Sequence, residues 1–189
     1  INILLTIKKK STQKLLMYIF VATTPAVIIG FTLRNKIEVL FESVNSVGFA
    51  LLFTGLVLIL SSTFKNKNSK HSISSSIVIG FGQALAIIPG ISRSGMTITI
   101  SLLFGFSPKE SAKFSFLLSI PVIAGAGLLG IQDIQYSETF SVDIIIAAIL
   151  SSFVVGIIAL RILLKILELG KFYTFGIYCI CLGMVSIFI

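Results

Sequence analysis

Apolar residues run through this chain in long unbroken stretches, separated by short polar ones. After an apolar stub at Ile1–Ile7 come Lys8, Lys9 and Lys10, then an apolar segment from about Lys14 to Leu33. Polar residues from Arg34 to Ser46 lead into a second, Val47 to Phe64. A run of lysine, asparagine and serine, Lys65 to Ser76, precedes Ile77 to Phe106, which Pro89-Gly90 interrupts. Three more follow: Pro108 to Ile131, Ile144 to Leu164 and Phe172 to Ile189. A helix needs about 20 apolar residues to cross a bilayer. Five of these stretches have that order of length and read as spans. Pro25 is expected to kink the first. The third has a marked start, with Ser107 as N-cap, Pro108 at the first helical position and Glu110 three residues after the cap. Its Gly125, Gly127 and Gly130 are expected to offer a flat face for close helix contact.

The interrupted stretch behaves differently. Ile77 to Ile88 is twelve residues and Ser94 to Phe104 eleven, about 18 Å and about 16.5 Å as helix. Neither arm crosses alone. A hairpin that enters and leaves on one side, surrounded by other helices, satisfies the backbone. The charges agree. With no net crossing at 77–106, one side collects Lys8, Lys9, Lys10, Lys14, Lys65, Lys67, Lys70, Lys109, Lys113, Arg161, Lys165 and Lys171 against Glu110 and Glu168. The other side holds Arg34 and Lys36 against Glu38, Glu42, Asp133, Glu138 and Asp143. The basic side is then cytoplasmic. Two short full spans give the same sidedness.

A weak internal repeat is also visible. Gly48 and Gly55 lie seven apart in the second span, and Gly176 and Gly183 repeat that spacing 128 residues later. Gly30 pairs with Gly156, and Arg34 with Arg161, at nearly the same offset. A rival match, Phe20 and Pro25 with Phe116 and Pro121, joins only one segment. The longer offset implies two inverted units, the arrangement common in transporters with midplane sites. The expected fold is therefore all-α: a polytopic membrane bundle with inverted repeats and a re-entrant helix hairpin. Residues 1–72 would be the remainder of the first repeat and 73–189 the second. The chain begins at Ile1, not methionine, and the first unit's own hairpin would lie upstream of it.

Composition sharpens this picture. Hydrophobic residues make up 56% of the 189 and charged ones 12%, values of a membrane protein. A net charge of +8 raises nucleic acid as a partner. The lysines sit in short loops between spans, so orientation explains them and no nucleic-acid partner is expected. Cys179 and Cys181 are too closely spaced for a zinc site and read as apolar fillers. His71 follows Lys70 in a polar loop and is expected to face water.

The candidate chemistry lies at Pro89-Gly90-Ile91-Ser92-Arg93-Ser94-Gly95-Met96-Thr97, where Arg93 is a full charge embedded among apolar residues. Such a charge is costly without a partner, and the next acid along the chain is Glu110. The arginine therefore waits for an anion. Pro89-Gly90 turns the backbone, and the second arm starts near Ser92 with its free N–H groups at the tip, a phosphate cradle. Arg93 adds a fork for two phosphoryl oxygens. Gly90 lines that cradle, Ser92 and Ser94 line it or only cap the helix, Thr97 lies one turn on, and Gln83 reaches the same cavity or bonds to a neighbouring helix. Gly95 admits either a close helix or a close ligand. No acid lies near the tip, so neither a general base nor a metal-ligand set can be assembled there.

These residues carry a resemblance. PGISRSGMT is similar to the PG-x-SRS-x-x-T signature of the undecaprenyl-diphosphatase family, the bacitracin-resistance-type membrane phosphatases. The likeness runs from Ala22-Thr23-Thr24-Pro25-Ala26 through GQALAIIPGISRSGMT to FSFLLSIPVIAGAG. It implies an enzyme of the bacterial cytoplasmic membrane that hydrolyses undecaprenyl diphosphate to undecaprenyl phosphate and phosphate. That recycles the lipid carrier of peptidoglycan synthesis, and overproduction confers bacitracin resistance. The resemblance also implies a divalent cation, Mg²⁺ or Ca²⁺, and places Ser92, Arg93 and Thr97 among the functional residues. The family's other motif, with glutamates, a serine and a histidine, has no match here. The metal is expected from that upstream hairpin, and the chain alone is expected to be inactive. On physics alone, a non-enzymatic transporter of a polyprenyl phosphate or another anion fits the same pattern.

Overall fold

The computed structural model describes residues 10–33, 43–64, 69–133 and 142–188. Among them are seven α-helices: α1 (Lys10–Thr32), α2 (Val44–Leu60), α3 (Ile73–Leu85), α4 (Arg93–Leu103), α5 (Pro108–Asp133), α6 (Val142–Glu168) and α7 (Tyr173–Phe188). A 3₁₀ turn, Ser61–Thr63, extends α2. Four helices, α1, α2, α5 and α6, are long and apolar enough to cross a membrane, while α3 and α7 are shorter apolar helices. The protein is a helical membrane protein. Lys8, Lys9, Arg34, Lys36, Glu38, Glu42, Lys65, Lys67 and Glu138, used in the charge count, lie outside the described residues.

The interrupted stretch is a hairpin of two short helices. α3 and α4 pack against one another through Gly82, whose missing side chain makes room for Ile100. Its open end is closed by a hydrogen bond, the Ser69 N–H donating to the Gly105 carbonyl at 3.2 Å. Entry and exit therefore lie side by side. The tip meets α2 between Val47 and Thr54. Thr54 is the eleventh residue of α2, about 15 Å from its start, so the tip is held within the bundle.

α4 is the central element, with Gly95 to Thr99 and Ser101 all buried. On one side Ile19 and Ala22 of α1, Ile79 of α3, and Phe106, Phe114 and Leu118 form a core. On the other, Ile98 joins Leu58 of α2, Ala112 of α5, Leu167 of α6 and Phe172. α1 and α3 approach closely at Gly80, where a Cβ would stand 2.5 Å from the Ala22 carbonyl oxygen.

α2 and α7 cross through four glycines. A Cβ on Gly55 would stand 2.7 Å from the Gly176 carbonyl oxygen, and one on Gly183 would stand 2.8 Å from that of Gly48. The glycines that repeat in sequence thus face each other in space, in antiparallel register. The other repeat matches behave differently. Gly30 makes only an ordinary contact with Ile87, Gly156 meets nothing within 4 Å, and Arg34 is outside the described residues.

Two expectations are corrected. Gly125 and Gly127 meet nothing within 4 Å, because among the described residues no helix lies along that half of α5. His71 does not simply face water: its ring stacks on Phe114 with centroids 4.4 Å apart and lies tilted against Phe106 at 4.3 Å. The Ser69–Gly105 bond folds the loop back over that core and carries the imidazole with it. Of the two cysteines, Cys179 is half-buried against the second core and Cys181 points outward.

Candidate functional site at the hairpin tip

Ile88 to Ser92 form the turn. α3 ends in tightened bonds, with the Ile87 N–H to Ala84 and the Ile88 N–H to Leu85, before Pro89 prevents the helix continuing. Gly90 takes φ +93, a conformation that favours glycine. Its α-carbon lies against α2, where a Cβ would be 2.6 Å from the Val47 carbonyl oxygen. The glycine is thus required twice by the turn itself.

Thr54 fastens the turn to α2. Its hydroxyl donates to the Gly90 carbonyl at 3.0 Å and accepts from the Ser92 N–H at 3.2 Å. Thr54 is 1% exposed, so the hydroxyl shared by both bonds is shielded from solvent. Sequence reasoning missed this residue. The available signal was a hydroxyl beside Gly55, inside an otherwise apolar span.

Ser92 is the N-cap of α4. Its hydroxyl accepts from the Gly95 N–H at 3.1 Å, and its carbonyl takes the Met96 N–H. Gly95 is needed for this compactness, since a Cβ there would crowd Ser92 and Leu58 at 2.9 and 3.2 Å. The choice left open for Gly95 resolves toward close contact within the fold. The N–H groups of Arg93 and Ser94 belong to the first turn and have no acceptor within the helix. Arg93 starts α4 half-buried, and its buried Nη1 has no partner among the described residues. A buried cationic donor without an acceptor is destabilising, and an anion at the tip relieves it.

Thr97 is 1% exposed and already engaged. Its hydroxyl lies 2.9 Å from the Arg93 carbonyl and 2.7 Å from the Ser115 hydroxyl. One hydroxyl proton cannot serve both, so when Thr97 donates to Arg93 it accepts from Ser115. Thr97 therefore braces the first turn of α4 against α5. Ser115 was missed in sequence, although Ser111, Ser115 and Ser119 repeat every four residues along one face of the third span. Gln83 is 2% exposed, and its Nε2 is buried without a partner among the described residues. Gly90, Ser92, Arg93 and Ser94 are thus gathered at the tip, Thr97 stands behind them, and Gln83 is sequestered near the end of α3.

The tip offers N–H groups, hydroxyls and a guanidinium, a donor set for an anion. Among the described residues no three His, Cys, Asp or Glu side chains gather in a way that would hold a metal ion. These residues do not fit a divalent cation.

Comparison with known proteins places this arrangement. The family model described as bacitracin resistance protein BacA matches residues 2–185. A protein of Halothermothrix orenii named undecaprenyl-diphosphatase is 40% identical, over 95% of this chain and 71% of its own length. One of the same name from Desulforapulum autotrophicum is 37% identical, over 96% of this chain and 67% of its own. A third, from Methanothermobacter thermautotrophicus, is 39% identical, over 88% of this chain and 95% of its own.

Proposed function

The chain belongs to the bacitracin resistance protein BacA family, and from that premise we propose that it hydrolyses undecaprenyl diphosphate. The products are undecaprenyl phosphate and inorganic phosphate. The bond broken is the phosphoanhydride, with water supplying the oxygen and the lipid monophosphate leaving. The relatives carry the hydrolase name, and no feature of the tip favours transport over hydrolysis.

The single observation that carries the reading is Arg93 at the N-terminus of α4, its Nη1 buried and without a partner among the described residues. The diphosphate is held there by the guanidinium and the N–H groups of Arg93 and Ser94. As the terminal phosphoryl group transfers, charge grows on its oxygens, and fixed donors stabilise that charge without reorganising. Ser92 shapes the turn as its cap. Thr54 and Thr97 hold the turn from either side, which keeps the donors fixed. A divalent cation, Mg²⁺ or Ca²⁺, would be held by groups outside the described residues. The enzyme would sit in the bacterial cytoplasmic membrane and recycle the lipid carrier of peptidoglycan synthesis.

The test is phosphate release from undecaprenyl diphosphate by the full-length enzyme, purified in detergent with Mg²⁺, beside transfer of undecaprenyl phosphate across sealed liposomes. Hydrolysis without transfer is expected. Transfer without phosphate release would overturn the proposal.

A further inference from the structure

A second cavity lies at the other end of the hairpin. It encloses about 470 Å³ between the start of α1, residues 69–72 and the first turns of α5, a size ordinary for a small-ligand site. Lys14, Tyr18, Lys70, His71, Glu110 and Lys113 line its polar part. The 13 residues of α3 separate its His71 corner from the turn at Arg93, about 20 Å of helix. It is not part of the hairpin-tip site.

Its chemistry is that of an anion receptor with an apolar wall. Three lysines face one carboxylate, and that carboxylate already accepts from the Ser107 hydroxyl at 3.2 Å. His71 stands on Phe114 with its Nδ1 buried and without a partner among the described residues. Burial pushes the imidazole below its ordinary value, with Glu110 opposing and Lys113 reinforcing the shift. At neutral pH the ring is therefore an uncharged hydrogen-bonding group set among cations. Leu15, Phe114 and Leu117 complete the cavity with apolar surface. Cationic rim and apolar wall in one cavity suit a ligand that carries a phosphate at one end and hydrocarbon at the other. The flanking Lys109 adds to the positive potential at this end of the bundle.

We propose that this cavity is a second anion site, which takes the phosphate group of an acidic phospholipid or inorganic phosphate. Lys14, Lys70 and Lys113 supply the attraction, and Tyr18 and His71 supply hydrogen bonds deeper in. The apolar wall receives the first methylenes of an acyl chain.

Binding can be read without reference to hydrolysis. Delipidated protein in neutral detergent is titrated with phosphatidylglycerol or phosphatidylcholine, and bound lipid is counted by native mass spectrometry. The expected result is preference for phosphatidylglycerol, with its dissociation constant rising about fivefold for each lysine removed in Lys14→Gln and Lys113→Gln. Both lysines are exposed, so neither change disturbs the core. Lys113→Arg should restore binding, and Arg93→Ala should leave it unchanged. Displacement of phosphatidylglycerol by inorganic phosphate identifies a site for the ion itself, and failure to displace identifies a headgroup site. Equal binding of the two lipids, or full phosphatidylglycerol affinity in Lys14→Gln/Lys113→Gln, would overturn the proposal. So would an equal loss in Arg93→Ala, which would place the bound lipid at the tip.

Discussion

Arg93 and His71 are both polar side chains with a buried nitrogen that has no partner among the described residues, yet they were unequally legible. Arg93 announced itself, because a permanent charge among apolar residues has few explanations. His71 did not, because an imidazole beside lysines in a polar loop gives no sign that Phe106 and Phe114 will close on it. Each makes a prediction. In the full-length enzyme Arg93→Lys keeps the charge and loses the planar fork, so kcat for phosphate release should fall at least about a hundredfold, near the ~3 kcal/mol of one positioned transition-state donor. Arg93→Ala should lose more, with the thermal midpoint in detergent unchanged or raised, since the unpaired Nη1 is removed. Near-normal kcat in Arg93→Ala would make the arginine a structural anchor. For His71, the folded protein resists protonation, while the unfolded chain titrates near 6.5. The unfolded state then binds more protons between the lowered folded value and 6.5, so stability is complete above that window and is lost as pH falls through it. His71→Phe should flatten the decline in thermal midpoint between about pH 7.5 and about pH 5.5, a window set by the ordinary histidine value. An unaltered slope would mean that groups other than His71 carry the acid sensitivity.

At the scale of elements, the helices and the hairpin could be read directly. Long apolar runs have one stable form in a bilayer, and Pro89-Gly90 marks the turn. The Ser107–Glu110 cap was also foreseen: the Glu110 N–H donates to the Ser107 hydroxyl at 3.2 Å. What could not be read was which helix receives the tip, because that depends on how distant segments assemble. Thr54 is the consequence. Thr54→Val keeps the shape but leaves the Gly90 carbonyl and the Ser92 N–H without a partner, at a cost of about 1–3 kcal/mol. The thermal midpoint should fall, and kcat should fall with it as the first turn of α4 loosens. Thr54→Ser should recover both, and failure of that rescue would show that the methyl group's contacts matter instead. The glycines make a sharper contrast. Gly176→Ala drives a Cβ toward the Gly55 carbonyl oxygen and should destabilise by about 1–3 kcal/mol. Gly156→Ala meets nothing within 4 Å and should be neutral or slightly stabilising, because alanine is the better helix former. Equal thermal midpoints for the two variants would show that the α2–α7 crossing is looser than described.

For the whole molecule the question is sidedness, and the hairpin decides it. If residues 73–103 made a single crossing, Lys109 and Lys113 would lie on the opposite side from Lys70. The Ser69–Gly105 bond instead holds the two ends of the hairpin together, and the shared cavity brings Lys14, Lys70 and Lys113 to one place. α5 then crosses, which sets Asp143 at the start of α6 on the far side, and α6 returns to bring Arg161, Lys165 and Lys171 back. In this layout the cations gather on one face, which the loop-charge rule assigns to the cytoplasm. In a background with Cys179 and Cys181 replaced, Lys109→Cys should react with a membrane-impermeant maleimide only from the cytoplasm. Asp143→Cys should react only from outside. Both positions are exposed, so an absence of labelling cannot be blamed on burial. Labelling of both from one side would mean that α5 does not cross, and the sidedness drawn from the charges would fall.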